Sequence, residues 1–281
     1  MTVDGKPRPE LLAAIVAGTK TAVQERAVAK PLRELEKARG QTIADGARFI
    51  AALRKEDRYN VIAECKRRSP SKGVLSEVYN PSDIATGYAN AGAAAISVLT
   101  ESAFFDGELE HLKAVRDAVD LPVLRKDFIL TDYQLLEACV AGADAVLLIA
   151  AILNASELRH LMRQAKGYGL AVLTEVHDTE ELSRSLDAGA EIIGVNNRDL
   201  RTFAVDLEAS EMLMRKIPQD VTAVAESGLT SASDLIALRR AGYHAFLIGG
   251  AFMSAPVPGE ALANLLRDTH QQMAVSGYGA G

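Results

Sequence analysis

The sequence predicts an α/β fold, a (β/α)8 TIM barrel with an N-terminal helical extension. Three observations carry that expectation. From Val61 onward eight short aliphatic runs alternate with amphipathic segments, and one kind of helix-to-strand ending recurs four times. The length of 281 residues suits one barrel of roughly 250 residues plus an extension. Length alone would also fit two ordinary domains, so the repeating pattern decides.

Residues 1–57 hold two helical patterns, near Pro9 to Arg26 and Pro31 to Arg54, with charges spaced along both and no strand signal. They are expected to pack on the barrel, which makes 1–281 a single domain. The strand candidates follow in order: VIAEC (61–65), AISVL (around 96–99), PVLRK (122–126), AVLLIA (145–150), AVLTEV (171–176), EIIGVN (191–196), TAVAES (222–227) and AFLIGG (245–250).

Between them lie PSDIATGYANAG, ELEHLKAVRDAV, DYQLLEACVAGA, SELRHLMRQAKGYG, TEELSRSLDAGA and SASDLIALRRAGY. Most open with Ser, Asp, Thr or Pro and several close on Gly, as helix caps prefer. The endings NAGAAAI, VAGADAV, DAGAEII and RAGYHAF predict a turn in which Gly supplies a left-handed backbone and the next strand starts at once. A doubly wound open sheet is the competing architecture, but no G-x-G-x-x-G follows the first strand and no Walker A loop occurs.

Composition narrows the function. Lys and Arg total 31 against 37 Asp and Glu, a formal charge of -6, which does not favour nucleic acid or an anionic membrane surface. The two cysteines, Cys65 and Cys139, sit in apolar runs without CxxC spacing, so neither a disulfide scaffold nor a zinc site is expected. The first residues lack an apolar h-region, and no stretch approaches the roughly 18 apolar residues of a membrane span. A cytoplasmic protein acting on a small ligand or a protein partner is expected.

A barrel places its chemistry at the C-terminal ends of its strands. The first strand ends Glu64-Cys65-Lys66, and alternation points Glu64 and Lys66 one way and Cys65 toward the helices. The third ends Arg125-Lys126-Asp127, the fifth carries Glu175, the sixth ends Asn196-Asn197-Arg198 and the seventh Glu226-Ser227-Gly228. Any one of these charges could be a solvated strand end. Together they imply a catalytic cluster, because so many charges in apolar strands are costly unless they pair or serve chemistry.

Gly-rich loops after the seventh and eighth strands, Ser227-Gly228 and Gly249-Gly250, match the usual phosphate site of barrels, although glycines also serve ordinary turns. The loop Arg67 to Gly73 is long, basic and rich in helix breakers, which suits either a cover over an anionic substrate or a plain exposed loop. The five histidines show no ligand spacing and read as surface or structural residues; no metal site is evident.

At this point the residues resemble a known family, indole-3-glycerol-phosphate synthase of tryptophan biosynthesis, over nearly the whole chain. The motifs are Ala63-Glu64-Cys65-Lys66 with Ser69-Pro70-Ser71, Thr100-Glu101 with Phe104-Phe105 and Gly107, LRKDFI (124–129), Tyr133-Gln134, Leu173-Thr174-Glu175-Val176, GVNNRDL (194–200), AESG (225–228) and Ile248-Gly249. The resemblance implies a lyase that converts 1-(2-carboxyphenylamino)-1-deoxyribulose 5-phosphate to indole-3-glycerol phosphate, releasing carbon dioxide and water without a cofactor.

The resemblance further implies roles. Lys126 is the general acid on the substrate carbonyl and Glu175 assists dehydration; Lys66, paired with Glu64, neutralises substrate charge and shares acid duty. Glu226 fixes the lysines, and Asn196 bonds a substrate hydroxyl or carbonyl. Ser227, Gly228, Gly249 and Gly250 take the phosphate, and Arg198 and Ser69 the anthranilate carboxylate. Phe105 and Leu147 border the aromatic ring, unless they are plain core residues. The expected partner is a small phosphorylated substrate, with no metal, nucleic acid or membrane, in a monomer or weak homodimer. Two other readings stand beside this one. An isomerase of a phosphoribosyl amine would want a Cys and Asp pair at strand ends, and a non-catalytic barrel would tolerate loss of Lys126 or Glu175.

Overall fold

In the computed structural model, which describes residues 9–40, 43–198 and 207–275, eight parallel strands close into a barrel. The first is β1 (Asn60–Cys65), and a small antiparallel hairpin of β2 (Arg68–Ser69) and β3 (Gly73–Val74) follows it. The others are β4 (Ala95–Leu99), β5 (Val123–Lys126), β6 (Ala145–Ile149), β7 (Ala171–Val176), β8 (Ile192–Asn196), β9 (Thr222–Glu226) and β10 (Ala245–Ile248). Neighbours in sequence are neighbours in space, and β10 returns to β1 with Asn60 opposite Ala245. Each predicted run holds one barrel strand, so the doubly wound alternative falls away.

Three helices precede the barrel: α1 (Pro9–Ala29), α2 (Leu32–Arg39) and α3 (Gly46–Leu53). Around it run α4 (Pro81–Asn90), α5 (Ser102–Phe105), α6 (Leu109–Ala118), α7 (Asp132–Val140), α8 (Ala155–Gly167), α9 (Thr179–Asp187), α10 (Leu207–Met214), α11 (Ala232–Ala241), α12 (Gly250–Met253) and α13 (Pro258–Val275). Local chemistry starts and stops them. Asn80 caps α4 by accepting from the N–H groups of Ser82 and Asp83, and reciprocal capping boxes open α8 (Asn154 with Glu157) and α11 (Ser231 with Asp234). In the four repeated endings Gly92, Gly142, Gly189 and Gly242 all take positive φ, between 88° and 114°.

The alternating strands sort their side chains into two apolar layers. Val61, Ala63, Cys65, Val98, Val146 and Ile193 face outward and pack under the helices, whereas Ile62, Leu124, Leu147, Leu173, Ile192 and Leu247 fill the barrel. Phe49 and Leu53 of α3 join that inner layer with no solvent exposure and close the barrel at the N-terminal ends of its strands.

The extension corrects one expectation. The pattern from Pro31 to Arg54 is not a single helix: α2 stops at Gly40, which adopts φ 56°, and α3 restarts where Asp45 accepts from the N–H of Arg48. The break lets α2 lie on α7 while α3 turns under the barrel. Helix α1 is fastened to the barrel wall by Arg26, whose guanidinium donates to Glu137 at 2.7 and 3.0 Å. Among the described residues no helix is long and apolar enough to cross a membrane.

Candidate active site

A cavity of about 270 Å³ opens at the C-terminal ends of the strands. Its lining includes every residue to which the sequence assigned a site role: Glu64, Lys66, Lys126, Glu175, Asn196 and Glu226 at its base, with Ser69, Phe105, Leu147, Arg198, Ser227, Gly228, Gly249 and Gly250 around them. Strand register explains the convergence. Lys126 lies opposite Leu99, Glu175 lies between Ile149 and Gly194, and Asn196 lies opposite Glu226, so their inward-facing side chains share the top of the barrel.

The charges are paired and deeply set. The Lys66 ammonium lies 2.5 Å from Glu64, and the Lys126 ammonium lies 3.1 Å from Glu175 and 3.5 Å from Glu226. All three carboxylates are at most 5% exposed, while both ammonium side chains keep about 15% of their surface open to the cavity. The anions are therefore the buried half of each pair, and the proton donors face the ligand space.

Three carboxylates and two ammonium groups cannot all be neutralised, and the titration behaviour reflects it. Burial pulls Lys126 down, but Glu175, Glu226 and Glu64 outweigh it and hold the ammonium above its ordinary pKa. Burial pushes Glu175 up, but Lys126, His177 and a hydrogen bond with Asn196 reverse this and keep it ionised. Glu226 moves the other way: burial, together with Glu175 and Glu64, outweighs Lys126 and raises it, and its Oε1 has no hydrogen-bond partner.

The opposite wall is built from backbone. Ser227 holds φ 66°, an unusual conformation for a residue with a side chain, and Gly228 follows at 77°. Asn197 secures this turn, because its side-chain amide donates to the Ser227 carbonyl and its N–H donates to that of Glu226, each at 2.9 Å. Gly249 lets its neighbour Glu64 approach, since a methyl group there would strike the Glu64 carboxylate. Gly250 opens α12 with free space around it.

The remaining wall is apolar. Glu101 accepts from the N–H groups of Ala103, Phe104 and Phe105 at 2.8–3.1 Å, which folds α5 and sets Phe105 beside Phe128, ring centres 6.3 Å apart. Leu147 is 1% exposed and still reaches the cavity. The hairpin β2–β3 brings Ser69 and Lys72 to the rim, and Arg67 and Arg68 pair with Asp106 at 3.4 and 3.7 Å. Arg198 reaches the lining too, its N–H donating to Asn196 Oδ1 at 3.0 Å. Asp199 and Leu200, which end its motif, lie outside the described residues.

Sequence reasoning gave no role to several contributors. Leu11, Leu12 and Ile15 of α1 line the cavity; their apolar spacing was visible, but not where the helix would dock. Asn197, Glu101 and His177 support lining residues from behind, a relation that strand-end position does not reveal. Among the described residues no group of three or more His, Cys, Asp or Glu is arranged to hold a metal.

Residues 12–265 match the family model described as indole-3-glycerol phosphate synthase. The chain belongs to the indole-3-glycerol phosphate synthase family. The enzyme of that name from Carboxydothermus hydrogenoformans is 53% identical over 207 residues, 73% of this chain and 78% of that one. The Albidiferax ferrireducens indole-3-glycerol phosphate synthase is 46% identical over 259 residues, 91% and 98% of the two chains. The barrel itself is more widely shared. A mandelate oxidase variant superposes with a TM-score of 0.62 at 16% identity, covering 91% of this chain and 95% of its own, and a Pyrococcus furiosus thiamine phosphate pyrophosphorylase with 0.57 at 18%, covering 75% and 96%. At such identities these two speak for fold alone. Indole-3-glycerol phosphate synthases are carboxy-lyases of tryptophan biosynthesis, and they form indole-3-glycerol phosphate from the carboxyphenylamino-deoxyribulose phosphate.

Proposed function

We propose that this chain carries out the family's ring closure with Lys126 as the general acid. What supports the reading is one arrangement: an ammonium 3.1 and 3.5 Å from two buried carboxylates, facing a cavity bounded by an apolar wall and a glycine-rich backbone turn. Carbon-carbon bond formation needs a proton delivered to the substrate carbonyl oxygen as the aromatic carbon attacks it. The ring carboxyl group then leaves as carbon dioxide, and the electrons of the broken bond restore the aromatic ring. Elimination of the new hydroxyl as water, with loss of a proton from the substrate skeleton, completes the indole.

In this scheme Lys126 donates the first proton. Glu175, kept ionised, assists the dehydration, and Lys66, held by Glu64, neutralises substrate charge and shares the acid duty. Glu226 fixes the Lys126 ammonium, and Asn196 bonds the substrate's oxygen. The phosphate is bound by the backbone of Ser227, Gly228, Gly249 and Gly250, where N–H groups suit an anion. Arg198 and Ser69 meet the anthranilate carboxylate, and Phe105 and Leu147 flank the ring. The working protein is a cytoplasmic monomer or weak homodimer, in which 1–281 form a single domain.

Purified protein is expected to turn the carboxyphenylamino-deoxyribulose phosphate into a fluorescent indole product without added nucleotide or metal. The chain contains no Trp, so the signal rises over a low background. No signal at high enzyme concentration would refute the activity.

A further inference from the structure

We propose that His177 is a positioning residue for Glu175: a cation on the protein side that holds the carboxylate in the orientation facing Lys126. The inference rests on the role given to Glu175 above. It starts from spacing, because His177 follows Glu175 by two residues, just past the end of β7, and the two side chains approach each other. His177 stands outside the cavity lining, behind the carboxylate.

The two oxygens of Glu175 face different cations. Oε2 accepts from the Lys126 ammonium at 3.1 Å, and Oε1 lies 3.6 Å from Nε2 of His177. That Nε2 is buried and has no hydrogen-bond partner, so the Glu175 carboxylate is the anion it addresses. The other ring nitrogen is anchored. Nδ1 lies 3.2 Å from Glu181 Oε2, and the same oxygen accepts the backbone N–H of His177 at 2.7 Å. Glu181 is in turn fixed in the first turn of α9, where its own N–H donates to Asp178 at 2.9 Å. An imidazole tied at one edge to a helix and aimed at a carboxylate with the other limits how far that carboxylate can swing.

The surrounding charges favour the imidazolium. Glu175 faces it from β7, Glu181 from α9 and Glu226 from β9, while Lys126 lies beyond Glu175. Burial pulls the ring's pKa down, but these carboxylates outweigh it and raise it above that of an ordinary histidine. On the helix, Glu180 and Arg184 pair with each other at 3.7 Å. A filler histidine would need neither the tether nor the unpartnered nitrogen facing an anion.

The test combines ring titration by NMR with turnover. In the wild type the His177 resonance should titrate above the usual histidine range. In Glu175→Gln and in Glu181→Gln its midpoint should fall by about one unit, since each removes a facing charge. His177→Gln should lower kcat about tenfold or more while KM stays within about twofold, as expected when a group that orients a catalytic residue is lost. An unmoved His177 titration in both glutamate variants overturns the inference, and so does a folded His177→Gln enzyme with normal kcat. If His177→Gln fails to fold, the two titrations still decide. Normal turnover of Glu175→Gln would instead sink the role given to Glu175, a separate failure seen in a separate variant.

Discussion

The carboxylate of Glu226 lies against the bare Cα of Gly194 on the neighbouring strand, and a methyl group at that position would strike Glu226 Oε1 and crowd Leu173. The absence of a side chain on β8 is thus what admits the third carboxylate to the base of the site. Gly194→Ala should displace Glu226 from Lys126, reduce turnover at least about tenfold and cost about 1–3 kcal/mol of stability, as overpacking usually does. Gly250→Ala meets nothing within 4 Å and should keep its melting temperature. Thermal melts and steady-state kinetics on the pair check both statements.

Lys126→Ala should lower kcat by about a hundredfold or more, the usual effect of removing a general acid, with the fold intact by circular dichroism. It should also change how stability depends on pH. In the wild type, Glu175 is held below its ordinary pKa, so its contribution is present above the unfolded value and is lost as pH falls. Without the ammonium, buried Glu175 loses the cation that holds it down and Glu226, already raised, rises further, so the variant loses more stability as pH rises. The gap in melting temperature between the two proteins should therefore widen from pH 5 to pH 8.

Arg125 is buried on the outer face of β5, pairing with Asp127 at 2.8 Å and Glu137 at 3.4 Å, and Glu137 in turn holds Arg26 of α1. Glu137→Ala leaves Arg125 short of a partner in a dry setting and should cost about 3–5 kcal/mol in denaturant unfolding. Arg26→Ala, at a side chain 37% exposed, should cost under about 1 kcal/mol. Because α1 brings Leu11, Leu12 and Ile15 to the cavity, the second variant should show its effect in KM.

Cys65 faces the helices, and burial, with Glu64, pushes its thiol well above the ordinary range. It should resist alkylation in the folded protein, and Cys65→Ala should keep near-normal kcat. Lost turnover in a folded Cys65→Ala variant would instead show that the thiol supports the site.

Strands and site were legible for the same reason: apolar runs that end in charged residues mark both the barrel and the place where its chemistry gathers. Lys126 and Glu175 could be assigned to one cavity from their places at the ends of barrel strands. The break at Gly40 was hidden, because helical periodicity resumes after Asp45 and masks a change of direction. Glu101 and Asn197 stood in plain view within the motifs, yet their work is done through backbone hydrogen bonds set by turns that sequence does not specify. His177 escaped because its partner, Glu181, lies across a loop on another element.

Helix α3 has a consequence for traffic through the enzyme. With Phe49 and Leu53 stoppering the far end of the barrel, reactant and product come and go, among the described residues, by the mouth at the C-terminal ends of the strands. Indole-3-glycerol phosphate must vacate the chamber before another molecule can enter, so it should act as a competitive inhibitor of its own formation.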